Sequence, residues 1–201
     1  MKRRIALYMG ILLFATVLAA AMPTVGEAAI YDDVIRLHIL APSDSAEDQA
    51  LKIKVRDAVL SEYGARLSSY GDRETAEREM RRLLPDIERL AAETVALSGG
   101  DCAVTATLSR EHYDRRTYEG FTMPAGEYLS LRIVLGEGAG QNWWCVLFPP
   151  LCTELAVKKE YGDSDLPVGL TPEEYELITG DGGEYRVRFK LLETLSAVLN
   201  P

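Results

Sequence analysis

Apolar and polar positions alternate over residues 34–40, with Ile35, Leu37 and Ile39 on one side and Arg36, His38 and Leu40 on the other. That two-residue period is the mark of a β-strand, and Pro42 ends it because proline cannot continue a central sheet position. The period then lengthens. Leu51, Val55, Ala58, Val59 and Tyr63 recur at helical spacing behind two start signals, Asp44 with Glu47 and Ser45 with Asp48. Gly64 or Gly71 marks the end of this helix. Asp72 caps a second helix predicted to reach about Ser98, striped by Ala76, Met80, Leu83 or Leu84, Ile87, Leu90 and Ala91. Pro85 interrupts that stripe and predicts a kink or break. The charged run over residues 73–82 reads as a solvated helix face carrying i,i+4 pairs rather than as a binding patch.

From residue 102 the short period returns. Cys102, Val104, Ala106 and Leu108 alternate with Ala103, Thr105 and Thr107, and Arg115-Arg116-Thr117-Tyr118 follows as an edge-like piece. Residues 121–126 read as a loop, and 127–135 as a strand. Gly136-x-Gly138-x-Gly140 then turns the chain into Trp143-Trp144-Cys145-Val146-Leu147-Phe148 and the corner Pro149-Pro150, a pattern that predicts a hairpin. Short connections predict an antiparallel meander. Further on, residues 155–161 predict a short helix, 162–170 a polar loop, 171–174 the start of a brief helix at most, and 185–199 a last helix. The expected class is α+β: an N-terminal strand, two helices, an antiparallel sheet meander and a C-terminal helix.

The N-terminus changes the compartment. Lys2, Arg3 and Arg4 precede an apolar run over residues 5–22, and small residues follow at Gly26, Ala28 and Ala29, the layout of an export signal. Cleavage after Ala21 and after Ala28 both fit, and the run is close to the length of an uncleaved anchor. The expected organisation is residues 1–28 as signal peptide or signal anchor and 29–201 as the exported domain. Residues 1–28 hold three basic residues and one acidic, so the remainder carries 19 against 30, a net charge of −11. Nucleic acid and anionic membrane are poor partners for that charge, whereas a protein partner suits it. Outside the cytosol cysteines tend to pair, and Cys145 with Cys152, around the proline corner, is the favoured couple. Two free thiols, or a bond from Cys102 to either, are the alternatives.

Candidate chemistry is sparse. The glycine turn is followed by a strand where a phosphate loop needs a helix N-terminus. His112 reads as structural or surface. His38 shares with Arg36 what the alternation makes an outward face. With two histidines and three cysteines, no metal site is expected, and no cofactor. No elbow around a serine nucleophile is present. Trp143 and Trp144 must point to opposite sides of their strand, so one is expected to anchor the fold while the other lies at the surface. An indole beside two prolines suits a contact surface, which would comprise Gln141, Asn142, Trp143, Trp144, Phe148, Pro149 and Pro150, with Arg36 and His38 as second choice. A packed hairpin with both rings half buried, and a carbohydrate-stacking platform, are the other readings of this stretch.

Several blocks carry a resemblance that pattern alone does not supply. Ile35-Arg36-Leu37-His38-Ile39-Leu40-Ala41 leads into Ser43-Asp44-Ser45, then Asp48-Gln49-Ala50-Leu51-Lys52-Ile53-Lys54-Val55-Arg56-Asp57. Pro124-Ala125-Gly126-Glu127-Tyr128 follows, then Gly136-Glu137-Gly138 and the run from Gln141 and Asn142 through Cys152. Together they resemble the stage II sporulation protein R family of endospore-forming bacteria. The resemblance implies a non-enzymatic signal, secreted from the forespore into the space between the two sporulation membranes. There it would activate the membrane-embedded aspartic protease of the mother cell that processes the sigma-E precursor. The competing functions are an exported hydrolase acting on peptidoglycan or peptide, using His38 or His112 with carboxylates, and a disulfide-stabilised structural protein of the envelope.

Overall fold

The structure is a computed structural model that describes residues 2–20, 30–118, 120–151 and 169–179. Helix α1 (Lys2–Ala20) leaves its apolar side chains exposed, Leu13 and Phe14 among them. Among the described residues, no helix is long and apolar enough to cross a membrane. Both expected cleavage points lie outside the described residues.

Strand β1 (Ile35–Leu40) is buried on both faces along its whole length. Helix α2 (Ala46–Ser68) starts where Ser45 accepts a hydrogen bond from the Asp48 amide and Glu47 and Asp48 face the positive end of the helix dipole. It runs through Gly64 and stops before Gly71. Helix α3 (Arg73–Leu97) is capped by Asp72, which accepts from the Thr75 amide at 2.7 Å. It continues unbroken through Pro85, where a kink or break was expected. Pro85 and Arg81 are both exposed, so the Arg81 carbonyl that loses its intrahelical donor faces water. The outer face is laced by the expected pairs, among them Arg81 with Glu77 and Arg89 with Glu93.

The remaining strands are β2 (Val104–Tyr113), β3 (Arg116–Tyr118), β4 (Phe121–Met123), β5 (Gly126–Leu135) and β6 (Asn142–Phe148), followed by α4 (Pro172–Thr179). The main sheet has the order β2-β5-β1-β6, with β1 parallel to β5 and antiparallel to β6. The α+β class and the mostly antiparallel sheet are as the pattern predicts, but β5 and β6 are not a hairpin. β1 lies between them. A strand buried on both sides has to pair along both edges, and the 136–141 connection is long enough to cross two strand spacings, about 10 Å. β3 and β4 form a separate two-stranded sheet inserted between β2 and β5. The helices predicted over 155–161 and 185–199 lie outside the described residues.

Two clusters hold the fold. On one side of the sheet, Ile35, Leu37, Ile39, Leu131, Ile133, Cys145 and Leu147 meet Val55, Val59 and Leu67 of α2 and Met80, Ile87 and Val95 of α3. On the other, Ile30, Val34, Tyr113, Tyr128 and Val146 meet Met123 of β4 and Ile178 of α4.

Candidate functional site

The glycine-rich connection is clasped by the segment after β1. Gly140 donates its amide to Ala41 O, the Gln141 amide donates to Asp44 Oδ1 at 2.7 Å, and Lys52 Nζ donates to Gln141 O at 2.9 Å. Gly136 and Gly138 have left-handed backbones (φ 58° and 63°), which glycine adopts without strain. Lys52 is buried, so desolvation pulls its ammonium pKa down from the ordinary lysine value, against the opposing pull of Asp44. The last two of these bonds use the backbone of Gln141. The side chains of Gln141 and Asn142 stay exposed at the rim.

The tryptophans part company as alternation requires. Trp143 turns to the helix side, where the Arg56 guanidinium sits 5.0 Å from its ring. Trp144 turns to the other side and stacks on His38, with ring centroids 3.6 Å apart and 17° between planes. Both are half-buried, which matches the alternative with both rings half buried rather than one indole anchored and the other at the surface. Phe148 and Pro149 are buried, the former against Gly169, and Pro150 is half-buried. The proline corner is therefore mostly support for the rim. Cys145 is buried on β6, Cys102 carries a free thiol, and Cys152 lies outside the described residues.

Arg36 and His38 do not face outward. Arg36 has no exposed surface and His38 is 5% exposed, because β3, β4 and the half-turn before β1 cover that side of the sheet. The Arg36 guanidinium lies 4.1 Å from the Tyr113 ring centroid, 5.1 Å from Tyr128 and 5.8 Å from Tyr118, and Nη2 donates to the Tyr118 hydroxyl. His38 Nδ1 is 3.2 Å from Glu111 Oε2, and Arg132 Nε is 3.5 Å from the other Glu111 oxygen. Burial alone would raise the Glu111 carboxyl, but hydrogen bonds from His38 and Ser130 and the Arg132 charge outweigh it, so Glu111 is held below the usual range. The ionised Glu111 accepts from His38 Nδ1–H, on the opposite side of the ring from Nε2. Tyr113, 2.6 Å from the Ser130 hydroxyl, has its own hydroxyl pushed far up by desolvation. His112 is on the surface beside Glu127, as predicted.

Sequence reading missed Glu111, Tyr113, Tyr118 and Arg132 as partners of β1. The signal was present in part, since Glu111 and Tyr113 share one side of β2 by alternation. What pattern could not supply is that β5 brings Ser130 and Arg132 alongside β1 in parallel register, His38 opposite Arg132. The His38–Glu111 couple resembles the base and orienting carboxylate of an acid–base dyad, although among the described residues no nucleophile is hydrogen-bonded to His38. Among the described residues there is also no group of three or more His, Cys, Asp or Glu able to hold a metal ion.

Comparison with known proteins bears on the same region. The family model for stage II sporulation protein R matches residues 31–159. Stage II sporulation protein R of Bacillus subtilis (strain 168) is 43% identical over 123 residues, 61% of this chain and 55% of that protein. The match thus spans about half the length of this curated relative. No solved structure matches.

Proposed function

We propose a role that starts from one fact: this chain belongs to the stage II sporulation protein R family. In this role the protein is a secreted signal of endospore formation, released from the forespore into the intermembrane space. It binds the membrane-embedded aspartic protease of the mother cell and so triggers processing of the sigma-E precursor. It breaks no bond itself. The family match across residues 31–159, which takes in every strand of the main sheet, carries this reading. The acidic charge and the basic, then apolar, N-terminus support it. Activation is a population shift: the signal binds the active arrangement of the protease more tightly than the inactive one.

The contact surface we assign is the rim, with Gln141 and Asn142 projecting from the clasp and the half-buried Trp143, Trp144 and Pro150 beside them. Phe148 and Pro149 hold that rim from beneath, and His38 backs the Trp144 ring. A Cys145–Cys152 bridge would fix the strand to the corner after it, and the free thiol of Cys102 fits that pairing. The test is reconstitution. The purified protein, added to the protease in membranes, should start cleavage of the precursor, and absence of cleavage at saturating protein would refute the role.

The His38–Glu111 couple favours one other reading, an exported hydrolase with His38 as base. His38→Gln and His112→Gln separate the two. The signal reading expects no turnover of peptide or glycan by the wild-type protein, and the hydrolase reading expects turnover that His38→Gln abolishes.

A further inference from the structure

We propose that Arg36 and His38 form the floor of a carboxylate-binding site roofed by the β3–β4 hairpin. The inference concerns the isolated protein and stands or falls apart from the signalling role. A guanidinium removed from water needs acceptors for its N–H groups and a counter-charge. Arg36 is fully buried, yet its Nε and Nη1 have no hydrogen-bond partner, and Nη2 meets a neutral hydroxyl, that of Tyr118. The three tyrosine rings attract the cation through their faces but accept no strong hydrogen bond in its plane. Two residues along the same side of β1, His38 Nε2 is also buried without a partner, and it becomes a second N–H donor when the ring takes up a proton alongside a bound carboxylate.

The charge balance points the same way. Glu111 is the carboxylate of this cluster, and it is already shared by His38 and Arg132. Arg116, on the roof strand, lies 5.4 Å from the Trp144 ring and has no ion pair among the described residues. Arg36 and Arg116 therefore bracket Tyr118 and Trp144 with two cations that no anion among the described residues pairs. In a chain of net charge −9 this is a local positive excess. With tyrosine rings around its Cζ and Nη2 engaged by Tyr118, Arg36 has its Nε and Nη1 N–H groups left for a ligand, the kind of donor a carboxylate takes from arginine. Entry requires the short β3–β4 sheet to lift, a movement that costs the Arg36–Tyr118 bond and returns a stronger, charged one.

The probes are acetate and N-acetylglutamate amide, titrated into the ¹⁵N-labelled full-length protein at constant ionic strength against sodium chloride. The Arg36 Nε–H resonance should move saturably with carboxylate and not with chloride. Arg36→Lys should weaken the apparent affinity at least tenfold, read from the Trp144 emission of a Trp143→Phe background, while Arg89→Gln on the far side of the molecule leaves it unchanged. A response to both probes shows that a free carboxylate suffices, and a response to N-acetylglutamate amide alone assigns the site to an acidic side chain of a polypeptide. No saturable shift in the wild-type protein, or an affinity unmoved by Arg36→Lys, overturns the site. The wild-type resonance decides the matter even where a variant does not fold.

Discussion

Gly140 has no room for a side chain. A Cβ there would stand 2.1 Å from Ser43 O and 2.4 Å from Ser43 C, both backbone atoms that cannot swing aside. Gly140→Ala must push the 136–141 connection off the segment after β1, loosening the Asp44 and Lys52 bonds to Gln141. We expect a loss of about 1–3 kcal/mol, the ordinary cost of overpacking, read as a lower urea midpoint at unchanged slope. Tyr113→Phe tests the opposite side of the sheet. It deletes the hydroxyl that meets Ser130 at 2.6 Å but keeps the ring against which Arg36 lies. Its cost should be about 1 kcal/mol, the net worth of one hydrogen bond, whereas Tyr113→Leu, which also removes the ring, should cost clearly more in the same unfolding experiment.

At the scale of elements, the least obvious attachment is that of α4. Eight residues long, it is held by Ile178 in the second cluster and by Glu174, which is 2% exposed and accepts from the Thr171 amide and hydroxyl. Asp33, in the helical turn before β1, is close enough to Glu174 for the two carboxyl groups to oppose each other's ionisation, which favours a proton on Asp33. Burial first, then the Glu174 hydrogen bond and charge, push Asp33 from 3.8 up to about 6, with Asp32 adding to the rise and Arg73 opposing it. An acid whose folded pKa is raised stabilises the fold in its protonated form. That contribution is full below about 3.8 and is lost as pH rises through about 6. Thermal unfolding should therefore show α4 held more firmly at pH 5 than at pH 7.5. Asp33→Asn, which supplies a donor at every pH, should flatten that difference, and a pH profile identical in wild type and variant would remove the attachment we describe.

For the whole molecule, what could be read from the chain and what could not divide along a physical line. Period and capping are local, so β1, α2, α3 and the opposite facing of Trp143 and Trp144 were all legible, down to Ser45 and Asp72 as caps. Pairing is non-local. Nothing near residues 136–141 records that β1, a hundred residues earlier, occupies the space between β5 and β6. That single insertion turns the expected outward side of Arg36 and His38 into a buried one and brings Glu111, Ser130 and Arg132 to them. It also explains why the sequence blocks around Ser43, Lys52 and Gly140 belong together: they are the two halves of one clasp.

The same division sorts the proposed contact residues into those that touch and those that support. Gln141 is held through its backbone amide and carbonyl, and its side chain, like that of Asn142, is exposed. Gln141→Ala and Asn142→Ala should leave the clasp intact and unfold within about 0.5 kcal/mol of wild type, as exposed substitutions usually do. If the rim is what the protease recognises, both should nevertheless lose precursor cleavage in the reconstituted assay at any temperature. Phe148→Ala should behave differently. Phe148 is fully buried against Gly169, and truncating such a ring costs about 3–5 kcal/mol. Its activity should fall with its folded fraction and return on cooling to a temperature where the variant is folded. Cleavage that survives in both rim variants, with their stability unchanged, would move the contact surface elsewhere on the molecule.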